Sequence, residues 1–485
     1  MGLPGPINLK RDCYRIYKTG LPFYDAARLI GAAHLFLGTA SAEIEDKGTH
    51  WEISGVSIRR DEEQILWAVE RISEWGERKL SDWERKLFED KNGEFCWNEL
   101  QTFFSATLSS RKGRKEELKA EYDVALQIGT RGIDPLSKYE ILAPRSTKET
   151  KKKFKDHFQN VAAALLGRAF AAYVGTKSNR QICEMYILPV FRERFVISGF
   201  LTYERTFQHS GGSWIAAVMA ALSILLDLTV KRLPVADFAY SMEVKDPTRK
   251  PIFSSSGYLG LERLCSYWWQ RVVEEENERA LQLLRNFRQF LHETRGQNVH
   301  EQVQHLARWV ADFVANPSVD ALVKIEQLKA RVISASQDKS FPGFFEARML
   351  LGNSQILKEV KNMMGLQIPD VPWQVSEALA KVLSLDEKGW MNHFTRLENA
   401  GNFSQFIEQV ERMISRGCYR EQQEKREQQE KSMHIRDAIT KARDLANVLR
   451  SIEAQLRDER AFRAWKAIFL LDVLSRAFKE VKESE

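Results

Sequence analysis

The chain has 485 residues, 44% of them hydrophobic and 28% charged, a composition that excludes a wholly disordered or a fibrous protein. Its formal net charge of +6 is too small to identify a polyanionic partner by itself. The five cysteines are dispersed without short spacings, which argues against a disulfide framework and favours a reducing compartment.

No positively charged segment followed by an apolar stretch and a cleavage site opens the chain, so we expect no secretory signal. The most apolar run, residues 214–226, has thirteen residues before Asp227 interrupts it. A helix that crosses a bilayer needs about 20 residues, so this run predicts a buried core helix. Together these features predict a cytoplasmic protein that does not enter a membrane.

The first half of the chain mixes helix and strand patterns. A helical pattern over residues 24–38 is followed by two short strand patterns joined at Lys47-Gly48. Residues 182–191 and 194–207 are rich in β-branched and aromatic side chains, which favour strands. GTKSNR, residues 175–180, has the composition of a tight connection between strands. This half is predicted to be an α+β region.

The pattern becomes helical beyond Gly257, with apolar residues at steps of three and four. Ser318, which follows Pro317, and Ser384, which precedes acidic residues, are each predicted to cap a helix start, and Gly417 is predicted to end a helix. The stretch 334–349, which contains Pro342-Gly343, is the best candidate for a domain boundary. We therefore predict an α+β N-terminal region over 1–340 and an all-α C-terminal helical bundle over 341–485.

The basic excess is confined to residues 110–155, where thirteen Lys and Arg accompany seven Asp and Glu. The local net charge of +6 equals that of the whole chain, and the segment has little apolar periodicity. Such a segment is either a solvated surface or a surface that follows a phosphate backbone and releases counterions on binding. The cations that we predict to bind phosphate there are Lys112, Arg114, Lys115, Lys151, Lys152 and Lys153.

The GTKSNR connection and the C-terminal helices are two further candidates for nucleic-acid binding. In the connection, Lys177, Asn179 and Arg180 would project from a loop tip. Arginine forms paired hydrogen bonds with guanine, and asparagine does so with adenine, so such a loop could read bases in a groove. Polar residues at a hairpin tip also occur simply because they favour the turn. In the C-terminal helices, the cations either meet nucleic acid or simply keep a bundle solvated. They are Arg436, Lys441, Arg443, Arg450, Arg463 and Lys466.

Motifs of catalysis and cofactor binding are absent from the sequence. It contains no GxxxxGKS/T phosphate loop, no GxGxxG and no GxSxG elbow. His300 and His305 are five residues apart, about 140° on a helix, whereas a helical zinc site needs a spacing of four. Carboxylates are interleaved with Lys and Arg, as on solvated helix faces. We therefore predict no catalytic residue, no metal and no cofactor, and expect a binding protein rather than an enzyme.

Several stretches between residues 21 and 264 resemble one protein family. They are LPFYDAARLIGAAHLFLGTASAEIED, YILPVFRERFVISGF, FQHSGGSWIAAVMAALSILLDL, PVADFAYSM and PIFSSSGYLGLERL. These stretches resemble the sequence of the large subunit of type I CRISPR surveillance complexes (Cascade), in particular a type I-B-like branch of myxobacteria and cyanobacteria. The resemblance lies in the general sequence of these stretches and not in a diagnostic catalytic motif.

The resemblance implies a non-catalytic subunit at the foot of an RNA-guided complex. Such a subunit checks double-stranded DNA for a protospacer-adjacent motif and stabilises the R-loop, while base pairing with crRNA reads the sequence. It implies contacts with the backbone, crRNA-end-binding and small subunits, and with downstream helicase-nuclease or transposition proteins. It does not map the motif-reading residues, so the predicted site rests on the chemistry of the cations and Asn179 named above.

The family also implies that the C-terminal bundle resembles the small subunit and is in some systems translated separately from an internal start. Met349, Met363 and Met364 lie where such a start would fall, although methionines are more often core residues. Two alternatives from other classes are left open. They are a metal-dependent nuclease with ligands dispersed in the sequence, and a helical scaffold without nucleic-acid contact.

Overall fold

A computed structural model of the chain describes parts of its first half and nearly all of its second half. The described residues are 8–10, 13–36, 42–54, 163–164, 167–168, 170–177, 181–197, 201, 203–204, 206–248, 251–335, 342–385, 389–427 and 435–478. Contacts within the chain divide it into two compact units. The first contains the described residues up to Gln208 and Gly212–Glu274, and the second contains His209–Gly211 and the described residues from Glu275 onward.

The strands and the helices of the first unit that have described bounds are as follows. The strands are β1 (Asn8–Lys10), β2 (Cys13–Tyr17), β3 (Ala42–Asp46), β4 (His50–Ser54), β5 (Ala172–Lys177), β6 (Ile182–Phe191), β7 (Arg194–Ile197), β8 (Thr206–Phe207), β9 (Val235–Lys245) and β10 (Pro251–Tyr258). The helices are α1 (Pro22–Phe36), α2 (Ser213–Leu228) and α3 (Glu262–Tyr267), and a π-helix over Trp268–Glu274 continues α3.

One sheet has the strand order β1-β2-β4-β3-β7, and its neighbouring strands are all antiparallel. The predicted strand pair at Lys47-Gly48 is confirmed as the β3–β4 hairpin. In its turn, the Lys47 backbone N–H donates to the His50 carbonyl at 2.9 Å, and Gly48 has a φ of 80°. This left-handed backbone conformation favours glycine, which lacks the Cβ that would clash.

The other sheet has the order β10-β9-β6-β5-β8, with β8 parallel to β5 and the remaining pairs antiparallel. Helix α1 packs against β6, β9 and β10, and α2 packs against β5, β6 and β8. The apolar run predicted as a core helix is confirmed as α2, in which every residue from Ile215 to Leu225 is buried. Among the helices that the structure describes, none combines the length and apolarity that a membrane crossing requires.

All the secondary-structure elements described in the second unit are helices. Its helices are α4 (Glu278–Glu293), α5 (Glu301–Ala315), α6 (Val319–Ala335), α7 (Phe344–Met349), α8 (Ser354–Met363), α9 (Trp373–Ser384), α10 (Trp390–Glu398), α11 (Phe403–Glu427), α12 (Ile435–Arg450) and α13 (Glu459–Ala477). A 3₁₀ turn over Glu453–Leu456 precedes α13. The predicted fold class, an α+β region followed by helices, is confirmed.

The contact-based division between the units lies at Glu274/Glu275, whereas the predicted domain boundary is at residue 340. Helices α4, α5 and α6 therefore belong to the helical unit, although the predicted boundary placed them in the α+β region. The physical reason is their packing, since α6 lies against α13 and α4 lies against α8. The Pro342-Gly343 stretch that suggested a boundary connects α6 and α7 inside this unit.

Two predicted helix ends are wrong. Ser384 is the last residue of α9 instead of a cap before a helix, and its hydroxyl donates to the Lys381 carbonyl at 2.9 Å. Gly417 lies inside α11 and does not end it. A Cβ at Gly417 would collide with the Val382 side chain of α9, so this glycine permits close helix packing.

Lys329 of α6 is fully buried in the core of the helical unit. Its amine donates to the Leu350 carbonyl at 2.6 Å and lies 3.2 Å from the Ser475 hydroxyl of α13. Burial, with repulsion from Arg348 and a smaller opposing effect of Asp472, lowers the pKa of Lys329 to about 7. The lysine thus satisfies a carbonyl just beyond the end of α7, which would otherwise be buried without a donor.

Candidate nucleic-acid interface

Most of the predicted site lies outside the described residues. These positions are Lys112, Arg114, Lys115, Lys151, Lys152, Lys153, Asn179 and Arg180. Lys177 is the last residue of β5, and its backbone, not its side chain, is described. The phosphate-binding role of the basic segment therefore stays a prediction, and the geometry bears on the base of the GTKSNR connection.

The GTKSNR segment connects two antiparallel strands, as the sequence predicts. Lys177 of β5 pairs with Ile182 of β6, so four residues separate the paired positions. Gly175 pairs with Glu184, and a Cβ on Gly175 would come 2.8 Å from the Tyr173 ring. The hairpin thus begins on a strand whose glycine makes room for the neighbouring phenol.

A second connection leaves the same end of this sheet. Strand β6 pairs with β9 as well as with β5, and Ile182 is opposite Lys245 in that register. Lys245 is in turn opposite Pro251 of β10. The β5–β6 and β9–β10 connections are therefore neighbours at one sheet end. The second has the sequence DPTRK over residues 246–250, a basic stretch that was not among the predicted binding segments.

A polar cleft of about 340 Å³ lies at this end of the sheet. Its lining residues come from β5, β6 and β9 and from Gln208, and include the Tyr173 phenol and the Cys183 thiol. The Lys245 amine contacts the Glu184 carboxylate and lies 3.1 Å from a carboxylate oxygen of Glu243. Hydrogen-bonding groups therefore surround the base of the hairpin.

The charge of Lys245 is neutralised locally. Burial alone would lower the pKa of this lysine, but hydrogen bonds and attraction from Glu184 and Glu243 outweigh it and raise the pKa. Two carboxylates beside one amine leave the described part of the cleft without a positive excess. The predicted phosphate binding would therefore need the cations of the two connections, such as Lys177, because Lys245 is already neutralised.

The cleft lacks an activated nucleophile among its described residues. Burial raises the pKa of Cys183, although hydrogen bonds with Ser213 and Thr176 act against it, so the sulfur is a thiol at neutral pH. Burial also raises the pKa of the Tyr173 phenol, with Glu184 adding to the effect. Both groups remain protonated at neutral pH, a state that suits hydrogen bonding to a ligand edge.

The histidines with near-zinc spacing have separate structural partners. The His300 ring precedes α5, where its Nδ1 accepts from the Gln302 backbone N–H at 3.3 Å. The His305 ring lies 3.4 Å from the Glu301 carboxylate. Within the described ranges, no group of three or more His, Cys, Asp or Glu side chains is placed to hold a metal ion.

The cations predicted on the C-terminal helices divide into engaged and exposed residues. Arg450 binds Glu411 and Arg463 binds Asp320, each through a surface ion pair. Lys466 donates to the carbonyl of Glu398, the last residue of α10, at 2.7 Å and to the Ala400 carbonyl at 2.9 Å. Lys441 and Arg443 are exposed on α12, and the Arg436 side chain lies outside the described part.

Comparisons with known proteins do not assign the chain to a family. No protein-family model matches the sequence, and no curated protein matches it. Its function must therefore be inferred from the residues themselves and from the arrangement of the two connections at the sheet end.

Proposed function

We propose that this chain is a non-catalytic, DNA-binding subunit of a cytoplasmic RNA-guided CRISPR surveillance complex. In this role it recognises the protospacer-adjacent motif and stabilises the R-loop. Its partners would be double-stranded target DNA, the crRNA-containing complex, and the backbone, crRNA-end-binding and small subunits. Downstream, a helicase-nuclease or transposition machinery would act on the opened DNA.

The arrangement of the two connections is the observation that carries this proposal. The GTKSNR connection and the DPTRK connection leave neighbouring strand pairs at the same sheet end, and each contains cations. Lys177, Arg180, Arg249 and Lys250 belong to these connections. A duplex laid across this end would receive phosphate contacts from two segments, while Asn179 and Arg180 are of the types that recognise base edges.

Two further observations support the proposal. An α+β unit followed by a helical unit agrees with the architecture that the sequence resemblance implies. The whole net positive charge of the chain lies in residues 110–155, where it would add phosphate contacts that do not depend on DNA sequence. Base readout and phosphate contact would then come from separate segments of one chain.

Purification of the full-length chain with the products of its native operon tests the proposal. We expect a short RNA and several other subunits to co-purify, and the assembly to bind target duplexes. The logarithm of the affinity should fall linearly with the logarithm of the salt concentration, with a slope of several units. A chain that purifies without RNA, and binds duplex DNA without any salt dependence, would contradict the proposal.

A cleavage assay with Mg²⁺ or Mn²⁺ distinguishes the nuclease alternative. Turnover by the isolated chain that one carboxylate substitution abolishes would establish a metal-dependent nuclease. Binding that persists without turnover agrees with the proposed role.

A further inference from the structure

A second cleft, of about 470 Å³, lies entirely within the helical unit. It is lined by α8, by the connection between α8 and α9, by Trp373 at the start of α9, and by α13. This volume is within the range of about 300–1,000 Å³ typical of small-molecule sites, which are largely apolar with a few placed polar groups. Ile368, Pro369 and Ile468 provide apolar lining.

Trp373 gives this cleft an aromatic surface that is open to solvent. Its side chain is 56% exposed, whereas Trp390 and Trp465 of the same unit are fully buried. A large exposed indole forgoes the burial that stabilises the other two. Together with the apolar lining, it offers a face on which a planar ring can stack.

One face of α8 gives the cleft the chemistry of an anion site. Ser354, Lys358 and Lys361 recur at intervals of four and three, so they share that face, and all three line the cleft. The first turn of α8 is capped by Asn353, whose side chain accepts from the Gln355 backbone N–H at 2.8 Å. The positive end of the helix dipole therefore adds to the Lys358 amine, which is one turn from Ser354, whereas Lys361 lies in the last turn.

An internal carboxylate occupies part of this anion site. Asp370 lies 2.8 Å from the Lys361 amine and 3.5 Å from the Lys358 amine. The hydrogen bond from Lys361 and attraction from both lysines lower the pKa of Asp370, so it is ionised at neutral pH. Because Asp370 is more than half exposed, it can yield Lys358 to a stronger anion such as phosphate.

The cleft wall also holds a further cation, Arg476 of α13. Its Nε donates to Asp472 at 2.8 Å, and the two terminal nitrogens of the guanidinium are further donors.

We propose that this cleft binds a nucleoside phosphate, with the base stacked on Trp373 and the phosphate held by Lys358 and the first turn of α8. The indole selects a planar ring, and the Lys358 amine with the first turn of α8 selects an anion. A free nucleotide and one residue of a single strand share this chemistry. The proposal stands on the cleft alone and does not depend on the CRISPR assignment.

Two probes, applied to the full-length chain, separate the two sources. Adenosine monophosphate is titrated calorimetrically, and a fluorescein-labelled deoxyadenosine decamer is titrated by anisotropy. Binding of the decamer alone identifies a strand as the ligand, and binding of adenosine monophosphate alone identifies the free nucleotide. Binding of both supports the proposal and shows that the cleft accepts either source. Binding of neither probe overturns the proposal.

Two substitutions with opposite expected effects test the site. Trp373→Ala should weaken binding about tenfold, as expected for one stacking contact, and Trp373→Phe should retain most of the affinity. Asp370→Asn should strengthen binding severalfold, because it removes the carboxylate that competes for Lys358. Equal affinities of the wild type, Trp373→Ala and Asp370→Asn overturn the proposal even where a probe binds.

Matched controls exclude general effects of charge and of folding. Glu377→Gln makes the same charge change at a carboxylate of α9 that pairs with Lys381 outside the cleft lining, and should leave the affinity unchanged. Melting curves confirm that each variant is folded. Duplex binding through residues 110–155 should be unaffected by Trp373→Ala, so failure of this site and failure of the proposed function are distinguishable.

Discussion

Gly31 of α1 and Gly167 approach so closely that a Cβ on Gly31 would lie 2.7 Å from the Gly167 backbone nitrogen. The same Cβ would collide with the Ala163 carbonyl, and a Cβ on Gly167 would collide with the Ala27 carbonyl. Both obstacles are backbone atoms, which cannot rotate away as a side chain can. This crossing therefore tolerates only glycine on either side.

Gly31→Ala should destabilise the first unit by about 3 kcal/mol or more, because overpacking against backbone forces the two segments apart. Thermal unfolding followed by circular dichroism measures the effect. Gly296→Ala is the control, since a Cβ there meets only a Val299 methyl at 3.9 Å. A Gly31→Ala protein that melts at the wild-type temperature would refute the close crossing.

The buried amine of Lys329 should make the helical unit more stable in alkali. Its pKa is about 7 in the folded chain against 10.5 for an ordinary lysine, so unfolding takes up a proton between these pH values. Stability should then rise as the pH increases from about 7 to 10, by at most about 5 kcal/mol. Urea unfolding at pH 6, 8 and 10 measures this rise.

Lys329→Met should remove this part of the pH dependence. The free energy of unfolding of the wild type should therefore rise relative to that of the variant as the pH increases. Lys381→Met is the control, because Lys381 is exposed on α9 and should leave the slope unchanged. Parallel pH profiles of the wild type and Lys329→Met would show that the amine titrates normally.

His209 should destabilise the helical unit in acid. It is 3% exposed, its Nδ1 accepts from the Gly211 backbone N–H at 3.0 Å, and burial lowers its pKa to about 4. The unfolded chain binds the proton first as the pH falls from 6.5 to 4, so stability should decrease by at most about 3 kcal/mol. Unfolding of His209→Asn, which keeps an acceptor but does not titrate, should lack this loss. The exposed His305→Gln serves as control and should retain it.

Charge reversal in the basic segment should weaken DNA binding without changing sequence preference. Replacing Lys112, Arg114 and Lys115 by Glu should lower the affinity for all duplexes alike, and should reduce the salt slope by about 0.9 for each phosphate that the variant no longer neutralises. Anisotropy with labelled duplexes at several salt concentrations measures both effects within the assembled complex. Lys381→Glu, a reversal on α9, is the control.

Substitution at the hairpin tip should instead alter which flanking bases are preferred. Asn179→Ala and Arg180→Ala remove side chains suited to adenine and guanine edges, and each base contact contributes about 1–3 kcal/mol of discrimination. Competition between duplexes that differ only in the flanking bases measures the preference. If both variants keep the wild-type preference, the motif is read elsewhere.

Local patterns in the sequence predicted the elements whose chemistry is local. The β3–β4 turn at Gly48, the buried helix α2 and the Ser318 cap, whose hydroxyl accepts from the Ala321 N–H at 3.2 Å, follow from turn residues, apolar runs and capping. The prediction for Gly417 is wrong because the role of this glycine depends on Val382 of another helix. Such packing between helices leaves no local signal in either segment.

The candidate sites were likewise predictable only where they depend on local sequence. The β5–β6 hairpin was predictable, but its neighbour at the sheet end was not, because strand order joins Ile182 to Lys245 across about sixty residues of sequence. The cleft at Trp373 unites α8 and α13, which are far apart in the sequence. A buried lysine such as Lys329 is equally invisible, since its surroundings come from separate helices and a turn.

The packing of α6 on α13 bears on any shorter product translated from Met349. Such a 137-residue polypeptide would begin at the last residue of α7 and would lack α4, α5 and α6. The side of α13 that α6 covers would be exposed to solvent, and the Leu350 carbonyl would lose the hydrogen bond from the Lys329 amine. A free-standing fragment of this kind would need a substitute for α6 from another polypeptide, and without one it would expose an apolar surface prone to association.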